Sequence, residues 1–388
     1  MRRQARRFSR GAAIAVAVLG VFSGSLAMTS AAEAAPIASP GAGAIGHGGP
    51  WSVDASLQCS PSAWATGFSD ALNKLDYDGI TVGGLSSLAY DPVTKGYVSA
   101  LDNNGTDLER IWFISSPADP TITRAPLVLE TPDGTPYNGL TSDNEGLAVL
   151  PDGDFVVSSE TEPSIRIYGR DGVQLASLPV PARFAVTGTT PRGEATSNAT
   201  LEGLTITPNG KTIVAAMEGA LSGDVSASGD ATAHRLLVYR QSGHQDWKLD
   251  KQLEYRTDPG MRIPEVQAYG NDSLVVEEAA YATATGNAVN LFAVTGLNSA
   301  KDVSSVANLA DAPAALAVHK TLIADLVDCP TLGATAKETQ ANPLLDNFEG
   351  MAVTSRGPKH LYGLSLISDD NYSANQTTRI LNLVVRLP

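Results

Sequence analysis

The feature that most restricts the fold is a hairpin written five times along the chain. GLSSLAYDPVTKGYVSALD (84–102), EGLAVLPDGDFVVSSE (145–160), EGLTITPNGKTIVAAME (202–218), PEVQAYGNDSLVVEE (264–278) and EGMAVTSRGPKHLYGLSLISDD (349–370) share one plan. Each reads as a strand, a tight turn, a second strand and a closing acidic residue. Gly84, Gly146 and Gly203 follow one another at 62 and 57 residues (146 − 84 and 203 − 146). Further β runs follow several hairpins, SIRIYG (164–169) with LASLPV (175–180) and RLLVYRQ (235–241) with LDKQLEYR (249–256). Four antiparallel strands per repeat of this length make a propeller blade. The expectation is an all-β fold, a single β-propeller of about six blades with seven as the alternative count. Five blades are visible, and the sixth is expected from 290–345 or from both ends of the chain. A two-domain β-sandwich is the competing architecture, but it does not require the hairpin to repeat.

Antiparallel pairing brings the start of each first strand beside the end of the second. The repeat then predicts two neighbouring rings of acids at one channel mouth. Asp102, Glu160, Glu218, Glu277 and Asp369 form one, and Glu145, Glu202 and Glu349 the other. Carboxylates so crowded must hold protons or share a cation. With oxygen donors and few nitrogen or sulfur ligands, the expected ion is Ca²⁺. Asn103, Asn104, Asn144, Asn347, Asp370 and Asn371 could complete its shell. A lone Asp or Glu is ordinarily a solvated turn residue; recurrence at one repeat position argues for a functional rim.

Charge narrows the partners. The chain of 388 residues carries 27 Lys+Arg against 41 Asp+Glu, a net −14, so nucleic acid is an unsuitable ligand. Residues 1–34 contain Arg2, Arg3, Arg6, Arg7 and Arg10, an apolar run from Gly11, and Ala32-Glu33-Ala34, the pattern of a signal peptide. Whether export would be general or twin-arginine is left open by these residues. Its removal takes five Arg and one Glu, leaving 22 basic and 40 acidic residues, a net −18. Residues 35–50 read as a flexible lead-in, and 51–388 as the propeller domain. No second apolar stretch is long enough to span a bilayer. The chain is expected to be secreted, monomeric and free of membrane, with Cys59 and Cys329 bridged rather than free thiols.

In these strings the sequence resembles the secreted bacterial phytase-like family, described by esterase-like activity of phytase. The resemblance runs from about Gly83 to the C-terminus. It rests on DNEGLAVLPDGDFVVSSE with IRIYGRDG and LPVP, on LEGLTITPNGKTIVAAMEG, on SLVVEE, and on NFEGMAV with LISDDN. It implies a propeller, secretion and phosphoric-ester hydrolysis, with Glu145, Glu160, Glu202, Glu218, Glu277, Glu349, Asp369, Asp370 and Asn371 as motif residues. Two departures remove positive charge. Glu278 stands where the family often has Arg, and Ser197-Asn198-Ala199-Thr200 where an Arg commonly precedes the second EGL. Both argue against phytate-like substrates.

Other chemistries lack their residues. There is no GxSxG elbow, since GALSG (219–223) and GLSLI (363–367) fail the spacing, and no HExxH or P-loop. His234, His244, His319 and His360 have no visible Ser–Asp partners. Metal-assisted hydrolysis of a small-molecule ester remains, with Glu160 or Glu218 as base. Arg110, Arg166, Arg183 and Lys211 are basic residues near the repeats. A non-catalytic, calcium-stabilised propeller binding an extracellular ligand, and a calcium-dependent lactonase or carboxylesterase, are the alternatives.

Overall fold

The computed structural model describes residues 51, 53–102, 105–188, 193–243 and 246–388, all within the unit that runs from Ala42 to Pro388. The signal-peptide and lead-in assignments (1–34 and 35–50), and Asn103, Asn104 and His244, lie outside the described residues.

Five antiparallel sheets are arranged as blades. Blade one runs through Ala89–Asp91, Gly96–Ala100, Arg110–Ile114 and Ile122–Val128; blade two through Asn144–Val149, Phe155–Ser159, Ser164–Tyr168 and Gln174–Leu178. Blade three comprises Leu201–Ile206, Thr212–Met217, Ala233–Gly243 and Asp246–Arg256, and blade four Arg262–Gly270, Ser273–Ala282, Gly286–Thr295 and Lys320–Asp325. Blade five starts from Phe348–Arg356, Leu361–Ser368 and Ile380–Arg386. It is completed from the other end of the chain by Ala63–Ser69, which pairs Ala63 with Val385 and Ser69 with Ile380, and by Gln58–Ser60. The first strand of each blade packs on that of the next, and that of blade five returns to blade one. The ring is closed, so no blade ends in an unmatched inner edge.

The propeller expectation stands, and the count is five rather than six or seven. The 290–345 segment builds no blade of its own. It supplies most of the outer half of blade four, joined by long connections, while the two ends of the described chain share blade five. Dividing length by a period of about 60 counted those connections as strands.

Each blade buries both faces against its neighbours, which is why the inner strands read as nearly continuous apolar runs such as FVV and TIVAAM. Five apolar clusters fill the five interfaces. Among their members are Val98, Phe113, Leu147 and Phe155 between blades one and two, and Leu204, Ile213 and Ile165 between two and three. Leu236, Val266 and Val276 fill the third interface and Leu291, Phe348 and Leu366 the fourth. Leu85, Trp112, Ile367 and Ile380 close the ring.

The EGL glycines have a steric reason. A Cβ on Gly146 would lie 2.4 Å from the Glu202 carbonyl oxygen, on Gly203 2.8 Å from Glu265 Cα, and on Gly350 2.4 Å from the Ser87 carbonyl carbon. The missing side chain lets neighbouring inner strands converge on the axis.

Cys59 and Cys329 form a disulfide, joining an outer strand of blade five to the end of blade four across 270 residues. In the chain-entropy account a loop that long contributes about 5 kcal/mol. Two buried pairs brace the same region and blade three. Arg379 is bidentate to Asp70 at 2.7 and 2.8 Å, and Arg235 to Asp224 at 2.6 and 2.8 Å. Among the described residues no helix is long and apolar enough to cross a membrane.

Candidate metal centre

Four blades hold an acid by the same backbone contact. Three of these acids, Asp102, Glu160 and Glu218, line the cavity at the channel mouth, while Asp369 is fully buried outside its lining. The N–H groups of Asp102, Glu160, Glu218 and Asp369 donate to the carbonyls of Gly84, Asp143, Thr200 and Asn347 at 2.8, 2.9, 2.7 and 2.9 Å. Each acid thus caps the second strand of its hairpin, beside the residue two places before the EGL glutamate position. In blade one that residue is Gly84 itself, so Ser86 and Ser87, and not Gly84, stand where the other hairpins have EGL glutamate and glycine. Blade four departs from this plan. Val266 pairs with Val276 and Arg262 with Ala279, so Ala279 takes the place of the ring acid and Pro264 that of the EGL glutamate. The side chain that blade four sends inward is Arg262.

Six carboxylates, Asp102, Glu145, Glu160, Glu202, Glu218 and Glu349, line a cavity of about 390 Å³ together with Arg262, Asn198 and Asn371. Their oxygens fall into three overlapping groups, each within 4.8 Å: Asp102, Asp143 and Glu145; Glu145, Glu202 and Glu349; and Glu160, Glu202 and Glu218. Arg262 engages the second and third. Its Nη1 donates to Glu218 Oε1 at 2.9 Å and Glu202 Oε1 at 3.4 Å, and its Nη2 to Glu349 Oε1 and Asn347 Oδ1, both at 2.9 Å. Asn347 Nδ2 returns a bond to Glu349 Oε1 at 3.0 Å. Arg262 is only partly buried, its side chain 27% exposed. Desolvation favours its neutral form, yet the charges of Glu349, Glu218 and Glu202 hold it protonated more firmly than usual.

One guanidinium cannot neutralise this set. Burial raises Asp102, Glu145 and Glu202 well above the ordinary carboxylate range. The charges of Asp369, of Asp102 and of Glu218, respectively, add to it. Glu160 is pushed up to about 8 by burial and by Glu218, although the Thr200 N–H donates to its Oε1. Asp369 also reaches about 8, through burial and the charge of Glu349. Burial raises Glu218 while Arg262 pulls it back. Asp369 Oδ2 is buried with no hydrogen-bond partner.

Not every acid expected at the mouth lies there. Glu277 is fully buried on the second strand of blade four, opposite Glu265 and away from the cavity lining. Both its carboxylate oxygens lack partners, and burial lifts its pKa well above the usual range. Asp370 is bonded elsewhere. Lys74 Nζ donates to it at 2.5 Å, and the N–H groups of Gly84 and Tyr372 each do so at 3.1 Å. Asn371 lines the cavity, while Asn144 turns to Glu109. Glu278 is bonded to Tyr255 and Lys320. Arg110, Arg166, Arg183 and Lys211 are absent from the cavity lining.

Arg262 and Asp143 are the site residues that sequence reading missed; Asp143 stands two places before Glu145, and for Arg262 the spacing of the acids matters. A signal was present. Glu145 and Glu160 are 15 apart and Glu202 and Glu218 16 apart, but Glu265 and Glu277 only 12. The hairpin itself is of ordinary length, since Pro264 and Ala279 are also 15 apart (279 − 264); Glu265 and Glu277 sit one and two places inside the ring positions.

A family model described as Phytase-like, esterase-like activity of phytase, matches residues 80–372. No curated protein matches the chain. Among solved structures it is similar to a protein of unknown function from Dyadobacter fermentans, at 10% identity over 84% of this chain and 100% of that one, with a TM-score of 0.42. It is similar also to the major allergen Mala s 1 of Malassezia sympodialis, at 13% identity over 80% and 82%, with a TM-score of 0.39.

Proposed function

The chain belongs to the phytase-like family, and from that premise we propose that it is an exported, calcium-dependent hydrolase of phosphoric esters working at the acidic cavity. The observation that carries this reading is the convergence of six carboxylates and a single arginine on one space of about 390 Å³.

The donor set fits a hard divalent cation. All three groups offer carboxylate oxygen only, the acids outnumber the basic charge, and Asp369 Oδ2 is buried without a partner. Asp102, Asp143 and Glu145 are the group that shares no member with the partners of Arg262, and they would hold the ion, with Asn371 close by. Bound there, Ca²⁺ would draw electron density from an ester phosphate and reverse the local field for an anionic substrate.

The remaining work falls to the chain itself. Glu160 lines the same cavity from the hairpin that carries Asp143 and Glu145, and its proton affinity near neutrality suits it to taking a proton from the attacking water. Arg262 fixes Glu218, Glu202 and Glu349, so that the wall does not collapse or splay as charge changes. Glu218 is the second candidate base, and its bond to Arg262 makes it the weaker of the two. The Cys59–Cys329 bridge and the signal-like residues 1–34 support export to an oxidising compartment.

The test is an ester panel run on chelator-stripped protein, with and without added Ca²⁺. Turnover of phosphomonoesters or diesters should appear only with the ion. Glu160→Gln should lower kcat by about 100-fold, and Glu145→Gln or Asp102→Asn should weaken calcium binding at least tenfold. If no phosphoric ester is turned over while chelator still lowers Tm, the protein is a calcium-stabilised binding propeller. Turnover of lactones alone would move the chemistry to carbonyl carbon.

A further inference from the structure

Beside the acidic cavity lies a second and larger one of about 660 Å³, and Glu218 and Arg262 belong to the walls of both. The chemistry changes abruptly across them. The second cavity is built from small and apolar residues, among them Ala220, Ala280, Pro259 and Met261, with Tyr281 56% exposed.

Its polar groups are already occupied. His234 Nε2 lies 3.3 Å from Thr257 Oγ1 and its Nδ1 3.4 Å from the Met217 carbonyl. Asp230 accepts from the Thr232 N–H at 3.0 Å. Arg262, the one basic side chain in the lining, is committed to Glu202, Glu218 and Glu349. The space therefore offers an anion nothing, and Glu218 and Asp230 repel it. An uncharged apolar or aromatic group finds a wall it can cover and a volume typical of small-ligand sites.

We propose that this second cavity receives the organic part of the ester whose phosphate lies in the acidic cavity, so that the substrate is a phosphate ester of an apolar or aromatic alcohol and not a polyphosphate. The proposal rests on the hydrolase reading for the neighbouring cavity and adds the substrate class.

Titration calorimetry with calcium-loaded protein tests it without needing turnover, using benzylphosphonate, methylphosphonate and inositol hexakisphosphate as probes. Benzylphosphonate should bind at least tenfold more tightly than methylphosphonate. Ala280→Trp, which fills the cavity, should bring that ratio close to one. Tyr281→Ser, at an exposed position that does not endanger folding, should lower it two- to fivefold. Equal affinity for the two small phosphonates, or tighter binding of inositol hexakisphosphate than of benzylphosphonate, overturns the assignment. Should benzylphosphonate bind as expected while benzyl phosphate is not hydrolysed, the hydrolase reading fails and the cavity assignment survives.

Discussion

Blade four and the other blades share one backbone plan and differ in what they place at the axis. In blades one, two, three and five the second strand of the hairpin ends in an acid, held by the same N–H to carbonyl contact. In blade four an alanine stands there, and an arginine projects from the strand opposite. The difference separates two uses of a repeat. Hydrophobic alternation and the tight turn close the ring and tolerate no exception, because every interface must be filled. The residue at the strand end faces the cavity and is free to vary with the chemistry.

A second contrast sharpens this. Arg235 and Arg379 are as buried as any side chain here, but each meets one carboxylate head-on and spends its other N–H groups on carbonyls or an amide. Those pairs are balanced. Arg262 faces three carboxylates, and more stand behind them. Arg262→Met should therefore destabilise the protein in chelator, by less than the roughly 3–5 kcal/mol of a fully buried pair because its side chain is 27% exposed. Added Ca²⁺ should recover most of the loss, since the freed Glu202, Glu218 and Glu349 become ligands. Arg235→Met, which breaks a fully buried pair, should cost about 3–5 kcal/mol and recover nothing. Thermal denaturation of both variants with and without the ion checks the contrast, and calcium-insensitive loss in Arg262→Met would break it.

The same imbalance sets a pH dependence. Glu160 holds its proton to about 8 in the folded protein, against 4.5 for an ordinary glutamate. Between those values the unfolded chain has released the proton and the folded one has not, so metal-free stability falls as pH rises from about 4.5 to about 8 and then levels. A bound calcium ion would favour loss of that proton through its charge, so its stabilising effect is expected to grow over the same window. Melting curves in chelator and in Ca²⁺ at pH 5, 6, 7 and 8 measure it. The fall should be smaller in Glu160→Gln, and a chelator series that rises with pH would contradict the protonation assigned here.

Most of the architecture was legible because repetition and packing act on the same residues. The spacing of Gly146 and Gly203 identified the hairpins, and their lack of a side chain proves to be what lets blades meet. The count failed because no local signal marks Ala63–Ser69 as the partner of Ile380–Arg386, more than 300 residues away. At the site, Glu145, Glu160, Glu202, Glu218 and Glu349 were legible as repeat positions. Arg262 was not, since it lies before the recognisable part of its hairpin and gains meaning only from acids on blades three and five.

Glu277 is the finest probe of the contrast between blades. Sequence placed it on the ring, and the strand register puts it one turn of the pleat away, buried opposite Glu265. Glu277→Gln should leave calcium affinity within about twofold of the parent, where Glu145→Gln loses at least tenfold. Stability should change by about 1 kcal/mol or less, because the buried carboxyl is already protonated and the amide is nearly its shape. Calcium titration of the two variants side by side decides the matter. Equal weakening would mean that blade four supplies an acid to the ion after all, and that Arg262 moves aside to admit it.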